Sequence, residues 1–237
     1  TFVFGLAPKA NVNLIEVGHG LGLGASSPKL GISYENDFEY ISVAKEVAGD
    51  KKIGSFFIPG IGKEEDILHA REAGLDFIRV GVNVDEISLA QKYIEIANNN
   101  NLIVHLNLMK TYALDILSLS KSIKQIQEWP IYSIYVVDSA GCMLPNNVSE
   151  YVSFFVKETN FNVGFHGHNN LGLANANCIS AIESGAVLVD GTLLGMGRSA
   201  GNAQLEVIAW LLEKSGYNCN IDYIELFNAA ERWVAPL

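Results

Sequence analysis

The sequence predicts an α/β fold on a parallel sheet, a (β/α)8 barrel whose first strand is not among these residues. Three observations carry that expectation. Short β-branched and aromatic runs alternate with longer stretches of helical periodicity from one end of the chain to the other. The repeat is roughly 25 to 40 residues long and its strands are almost continuously apolar, as when both faces of a parallel sheet are covered. Seven such runs can be counted, more than the about five or six of a doubly wound open sheet and one short of a barrel's eight.

In order, the strand-like runs are residues 13–17, 53–58, 77–82, 102–108, 133–137, 162–165 and 187–190. Helical periodicity occupies residues 35–48, 64–73, 85–98, 113–128, 147–158, 173–183 and 203–214. Residues 1–10 read as the tail of a helix entering the first run, which would place a barrel's first strand upstream of residue 1. Residues 221–234 read as a final helix, so an eighth strand after Asp190 has room only at residues 217–221. In Glu72-Ala73-Gly74 and Glu183-Ser184-Gly185 a glycine follows the last periodic residue, the left-handed position that closes a helix. No linker, repeat or low-complexity tract divides the chain, and residues 1–237 read as one catalytic domain.

Of the 237 residues, 49% are hydrophobic and 18% charged, which excludes disorder. Twenty-two glycines against six prolines, with a mean hydropathy of +0.20, suit tight turns between buried elements. A net charge of −10 and a pI near 4.9 would repel a phosphate backbone and an anionic bilayer, disfavouring nucleic-acid and membrane partners. Cys142, Cys178 and Cys219 are odd in number and far apart, so neither a disulfide framework nor a CxxC site can be drawn. A reducing cytoplasm fits them. No apolar run approaches the roughly 20 residues of a membrane span, and the first residues lack the order of a signal peptide.

The informative polar residues fall where strands enter their loops, the catalytic face of a barrel. His166 and His168 carry the sharpest signal. Alternate residues on a strand point to the same side, so these imidazoles converge, with Gly167 leaving space between them. That is a metal-ligand spacing, and with a third ligand it suits Lewis-acid chemistry on keto acids. The plainer reading is a pair of polar side chains hydrogen-bonded in a solvated loop, against which Asn169, Asn170 and the Asp138-Ser139 strand end weigh. The glycine-rich residues 18–24 do not make a dinucleotide fingerprint, because no helix follows the turn directly and no carboxylate ends the next strand. An active-site loop containing His19 fits better. The second glycine-rich loop, residues 191–202, reads either as a phosphate site using Arg198 and backbone amides or as a loop whose Asn202 caps the next helix. His69 is expected at the surface and His105 in the core.

Five segments together resemble a known family: IEVGHGLGLGASS from Ile15, PGIG from Pro59, IYVVDSAGCMLP from Ile134, GFHGHNNLGLANAN from Gly164 and DGTLLGMGRSAGNAQLE from Asp190. The family is the 4-hydroxy-2-oxovalerate aldolases, pyruvate-specific class II aldolases within the metal-dependent superfamily of hydroxymethylglutaryl-CoA lyase and the isopropylmalate and homocitrate synthases. The resemblance implies a TIM barrel, a divalent metal (Mn2+, with Mg2+ or Co2+ as substitutes) and cleavage of 4-hydroxy-2-oxo acids to pyruvate and an aldehyde through a metal-stabilised enolate. It implies His166 and His168 as metal ligands, Ser139 as a contact of the pyruvate moiety, and Phe56 and Ile58 as walls of the aldehyde pocket. Glu16 would orient a catalytic arginine, Asn202 would lie in the shell around the metal, and His19 joins Glu16 among the candidate catalytic residues. A small 2-oxo acid is the implied substrate and an acylating aldehyde dehydrogenase the implied partner.

The sequence also departs from the family. Its relatives open with a strand ending in Thr-Leu-Arg-Asp-Gly and a nearby histidine, which supply the third metal ligand, an enolate-stabilising arginine and a base; they close with a small helical partner-contact domain. Neither stretch is found here, and Leu21 stands where many relatives have aspartate. The resulting expectation is that the 237 residues alone do not turn over substrate. Two alternatives are a Claisen-type acyl-CoA lyase or synthase, disfavoured by the few basic residues, and a catalytically silent barrel subunit.

Overall fold

Seven parallel strands lie side by side in chain order in the computed structural model, whose described residues are 10–236. They are β1 (Leu14–Glu16), β2 (Lys52–Phe57), β3 (Phe77–Asn83), β4 (Ile103–Met109), β5 (Ser133–Asp138), β6 (Asn162–Gly167) and β7 (Leu188–Val189). All seven expected strands are present. An open doubly wound sheet reverses its strand order at a switch point, whereas this order never reverses, as in a (β/α)8 barrel. Residues 217–221 add no strand, and among the described residues none pairs β7 with β1. The helical tail expected at residues 1–10 lies, but for Ala10, outside the described residues.

The helices are α1 (Asp37–Val47), α2 (Glu64–Glu72), α3 (Gln91–Asn99), α4 (Ile116–Ser122), α5 (Pro145–Glu158), α6 (Ala174–Glu183), α7 (Leu205–Lys214) and α8 (Tyr223–Ala229). Asn36 starts α1 by accepting the Glu39 amide at 2.9 Å. Gly74 and Gly185 follow α2 and α6 with φ of 105° and 102°, the left-handed closures expected of them. The stretch expected as one helix at residues 113–128 is broken. Asp115 caps a new start by accepting the Ser118 amide, so the shorter α4 follows a turn of 3-10 helix and precedes another. Asn202 does not cap α7, because Gln204 occupies that position.

Period-two alternation sorts each strand into two faces. Ile53, Ile78, Val80, Leu106, Ile134, Val136 and Phe165 face the helices and are fully buried, in one core cluster with Ile41, Ile67, Ile94, Val148 and Ala181. The other face turns inward and holds Phe56, Arg79, His105, Asn107, Tyr135 and His166, in a register pairing Phe56 with Arg79, Arg79 with His105, and Asn107 with Tyr135. Glycines make room for this bulky set. A Cβ on Gly54 would stand 2.0 Å from the Phe77 ring, on Gly81 2.3 Å from Phe56, and on Gly164 2.6 Å from Tyr135.

Candidate metal-binding active site

β6 delivers His166 and, one step past its end, His168, with ring centroids 5.2 Å apart and planes crossed at 82°. The backbone pins the second of them. The His168 amide donates to the Asp138 carbonyl at 3.2 Å, and His168 and Asn202 form an antiparallel bridge. The glycine-rich loop after β7 is thereby folded back over the end of β6, with the Asn169 amide on the Gly201 carbonyl at 2.9 Å. Asn202 Nδ2 donates to the Met196 carbonyl at 3.0 Å, while its Oδ1 is buried and makes no hydrogen bond.

Beneath the histidines lies an ion-pair network that sequence reading did not anticipate. Arg79, buried in the middle of β3, reaches Glu16 of β1 at 3.0 Å through Nη1 and Asp190, just past β7, through Nη2. Its guanidinium also stacks 4.6 Å from the centre of the Tyr135 ring. Asp190 Oδ2 in turn lies 3.0 Å from His166 Nδ1, and the Tyr135 hydroxyl hydrogen-bonds the same carboxylate. Burial alone would raise the Asp190 pKa, but Arg79 and then His166 outweigh it and hold the carboxyl below the usual range. Burial likewise opposes the Arg79 charge and is overcome by Asp190 and Glu16. Burial, with Asp190 adding to it, pushes the Tyr135 phenol well up.

The proposed site residues divide by location. Glu16 and His166 are joined through Arg79 and Asp190, neither of which was among them. Ser139 stands half-buried beyond β5, its Oγ accepting the Lys110 amide at 3.0 Å, with Lys110 itself at φ 55°. Phe56 packs against Gly81 from the inner face of β2, and Ile58 caps the same strand, its carbonyl taking the amides of Ile61 and Gly62. His19 sits in the loop after β1, where its Nδ1 accepts the Leu21 amide at 3.1 Å. No contact links it to His166 or Asp190 among the described residues. His69 is exposed on α2 and His105 is 2% exposed, both as expected.

A metal test can be put to these side chains. Asp190 only accepts at His166 Nδ1, so that nitrogen carries a proton and Nε2 is the one left for an ion, the usual outer support of a ligating imidazole. His168 is held neutral, its pKa lowered to about 4 by burial first and then by His166 and Arg198, and it hydrogen-bonds the Arg198 backbone. One imidazole oriented by a carboxylate and a second kept neutral therefore fit a divalent ion. No third ligand is grouped with them, because among the described residues no three His, Cys, Asp or Glu side chains cluster as a ligand set. Asp190 is already held by Arg79 and His166, which suits it to orienting an imidazole rather than to binding an ion.

Comparisons with known proteins agree with this geometry. The family model HMGL-like matches residues 6–232. The chain is 38% identical over 97% of its length to 4-hydroxy-2-oxovalerate aldolase 2 of Rhodococcus jostii (strain RHA1), and 36% identical over 97% to 4-hydroxy-2-oxovalerate aldolase of Bacillus cereus (strain ATCC 10987 / NRS 248). It spans about two thirds of the length of these curated relatives, 67% of each. Among solved structures, the N-terminal domain of a Bacteroides vulgatus protein described as an aldolase superposes with a TM-score of 0.81 and 27% identity, covering 100% of this chain and 79% of that one. The carboxyl transferase domain of Rhizobium etli pyruvate carboxylase shares the fold, at a TM-score of 0.77 and 18% identity over 85% of this chain and 37% of that one.

Proposed function

Because the chain belongs to the HMGL-like family, we propose that it is a metal-dependent carbon–carbon lyase cleaving 4-hydroxy-2-oxo acids, 4-hydroxy-2-oxovalerate among them, to pyruvate and an aldehyde. The observation that carries this reading is the pair of imidazoles ending β6, one oriented by Asp190 and the other kept neutral. His166 and His168 would hold the divalent ion, Mn2+ by preference with Mg2+ or Co2+ as alternatives. When bound, such an ion supplies Lewis-acid polarisation of the 2-oxo group.

The remaining work falls to this chain's own side chains. Ser139 Oγ already accepts the Lys110 amide, which leaves its O–H to donate to the substrate carboxylate or keto oxygen. Glu16 holds Arg79 and helps keep the interior network charged. His19 accepts at Nδ1 from Leu21, so its proton sits on Nε2 and it can donate one there. Phe56 and Ile58 supply apolar surface for the aldehyde part. An acylating aldehyde dehydrogenase is the partner suited to the released aldehyde, and the cytoplasm suits three free cysteines.

Pyruvate release from 4-hydroxy-2-oxovalerate, coupled to lactate dehydrogenase, tests the proposal. We expect release to require Mn2+ and to cease with a chelator. Both the 237-residue chain and one extended by a strand ending in Arg-Asp should be assayed. No release from either would refute the activity, and equal rates from both would assign the third ligand to Asp190, Asp138 or Glu16.

A further inference from the structure

We propose that Arg79 is the positioning residue of the site: by holding Asp190 from β3, it fixes the His166 ring with Nδ1 protonated and Nε2 aimed at the ligand. The inference rests on the reading of His166 as a metal ligand for its consequence, but on geometry alone for its mechanism. His166 touches Asp190, not Arg79, so the arginine acts through the carboxylate. Asp190 follows β7, which is only two residues long, and its amide donates to the Phe165 carbonyl of β6 at 3.1 Å. This backbone bond places the residue but does not aim its carboxylate, which needs a side-chain anchor from elsewhere. Arg79 is that anchor, 8% exposed in the middle of the seven-residue β3 and paired on both sides with neighbouring strands.

The guanidinium is itself fixed from three directions. Glu16 holds one nitrogen, Asp190 another, and the Tyr135 ring covers its face. Since Glu16 ends β1 and Asp190 follows β7, Arg79 ties the two outer strands of the described sheet to its middle. A planar donor fork suits this better than a point charge, because two carboxylates on different strands must be met at once. The same bridge that orders the sheet's outer strands therefore sets the direction of the His166 lone pair.

The test is the His166 tautomer, read from 15N side-chain chemical shifts in metal-free protein at one fixed alkaline pH and assigned with His166→Gln. Wild type should show Nδ1 protonated and Nε2 bare. Arg79→Gln should give a mixture of tautomers, Asp190→Asn should do the same, and the double variant should look like either single one. Arg79→Lys, which keeps a charge and folds more readily, should lie between wild type and Arg79→Gln. Mn2+ affinity, measured by electron paramagnetic resonance, should fall about tenfold or more in Arg79→Gln. A single Nδ1-protonated tautomer in both Arg79 variants overturns the proposal, whatever their thermal stability. A shifted tautomer in a protein whose wild type binds no Mn2+ supports the positioning role and refutes the metal reading instead.

Discussion

His105 and the pair His166 and His168 occupy the same inner face of one sheet, and they have opposite chemical prospects. His105 lies low on β4, ringed by Phe77, Tyr132 and Tyr135 with centroids 5.3, 5.5 and 6.1 Å away. Its Nδ1 meets the Ser133 hydroxyl at 2.7 Å, its Nε2 finds no partner, and burial followed by Arg79 lowers its pKa to about 4. His166 and His168 stand at the far end of β6, where loops rather than rings surround them and a carboxylate holds one imidazole from behind. The difference teaches that height along the strand, not residue type, decides whether an inward imidazole fills the interior or faces a ligand. In a barrel only the carboxyl ends of the strands open onto a site.

Four predictions would sharpen or break that contrast. The largest effect is expected at the open end. In the chain extended by a strand ending in Arg-Asp, replacing His166 and His168 together by alanine should lower kcat/KM for pyruvate release by about 10³-fold, since Lewis-acid polarisation is worth several kcal/mol, and strip bound metal measured by elemental analysis. Equal metal content in wild type and double variant would erase the distinction between the two regions.

At the lower level the loss should fall on stability. His105→Ala empties a ring-sized volume and orphans the Ser133 hydroxyl, so urea unfolding should show a loss of about 3 to 5 kcal/mol while Mn2+ affinity stays as in wild type. A matching drop in metal affinity would mean that the two levels are not separate.

Acidification should find the same residue. The folded protein holds His105 at about 4 whereas the unfolded chain titrates near 6.5, so the unfolded state binds the proton first. Stability should therefore decline as pH falls from about 6.5 towards about 4, by up to about 3 kcal/mol from this group. In His105→Asn that part of the acid limb should flatten, and urea midpoints across the range would reveal it. An unchanged slope would place the acid sensitivity elsewhere.

The smallest effect is expected at Ser139, whose hydroxyl proton is free because its oxygen is already used by Lys110. Ser139→Ala should weaken inhibition by oxalate, a pyruvate-enolate mimic, by about 1 to 2 kcal/mol, the worth of a hydrogen bond to a charged group. Unaltered inhibition would remove Ser139 from the substrate's contacts.

The contrast also explains which parts of the site were readable. His166 and His168 could be paired from sequence because two residues apart on one strand is a local relation. Asp190 and Ser139 were visible as polar ends of apolar runs. Arg79 sits inside the apolar run Phe77 to Val82, where a lone charge demands a partner and is itself a signal, but one that does not name the partner. Its partners lie 63 and 111 residues away, beyond any local pattern. Tyr135 was hidden in the same way, as one more aromatic in an apolar strand.

The sequence by itself determined the seven strands, their alternation with helices, the glycine closures of α2 and α6 and the convergence of the two histidines. Each of these is set by periodicity, by backbone conformation or by neighbours along one element. Tertiary structure alone decided that β1 and β7 are tied through Arg79, that Asp190 serves His166 and that His105 stays neutral beneath them. Those outcomes depend on strand register and on burial of charge, which arise only once distant strands share an interior in which an unpaired ion would be too costly to keep.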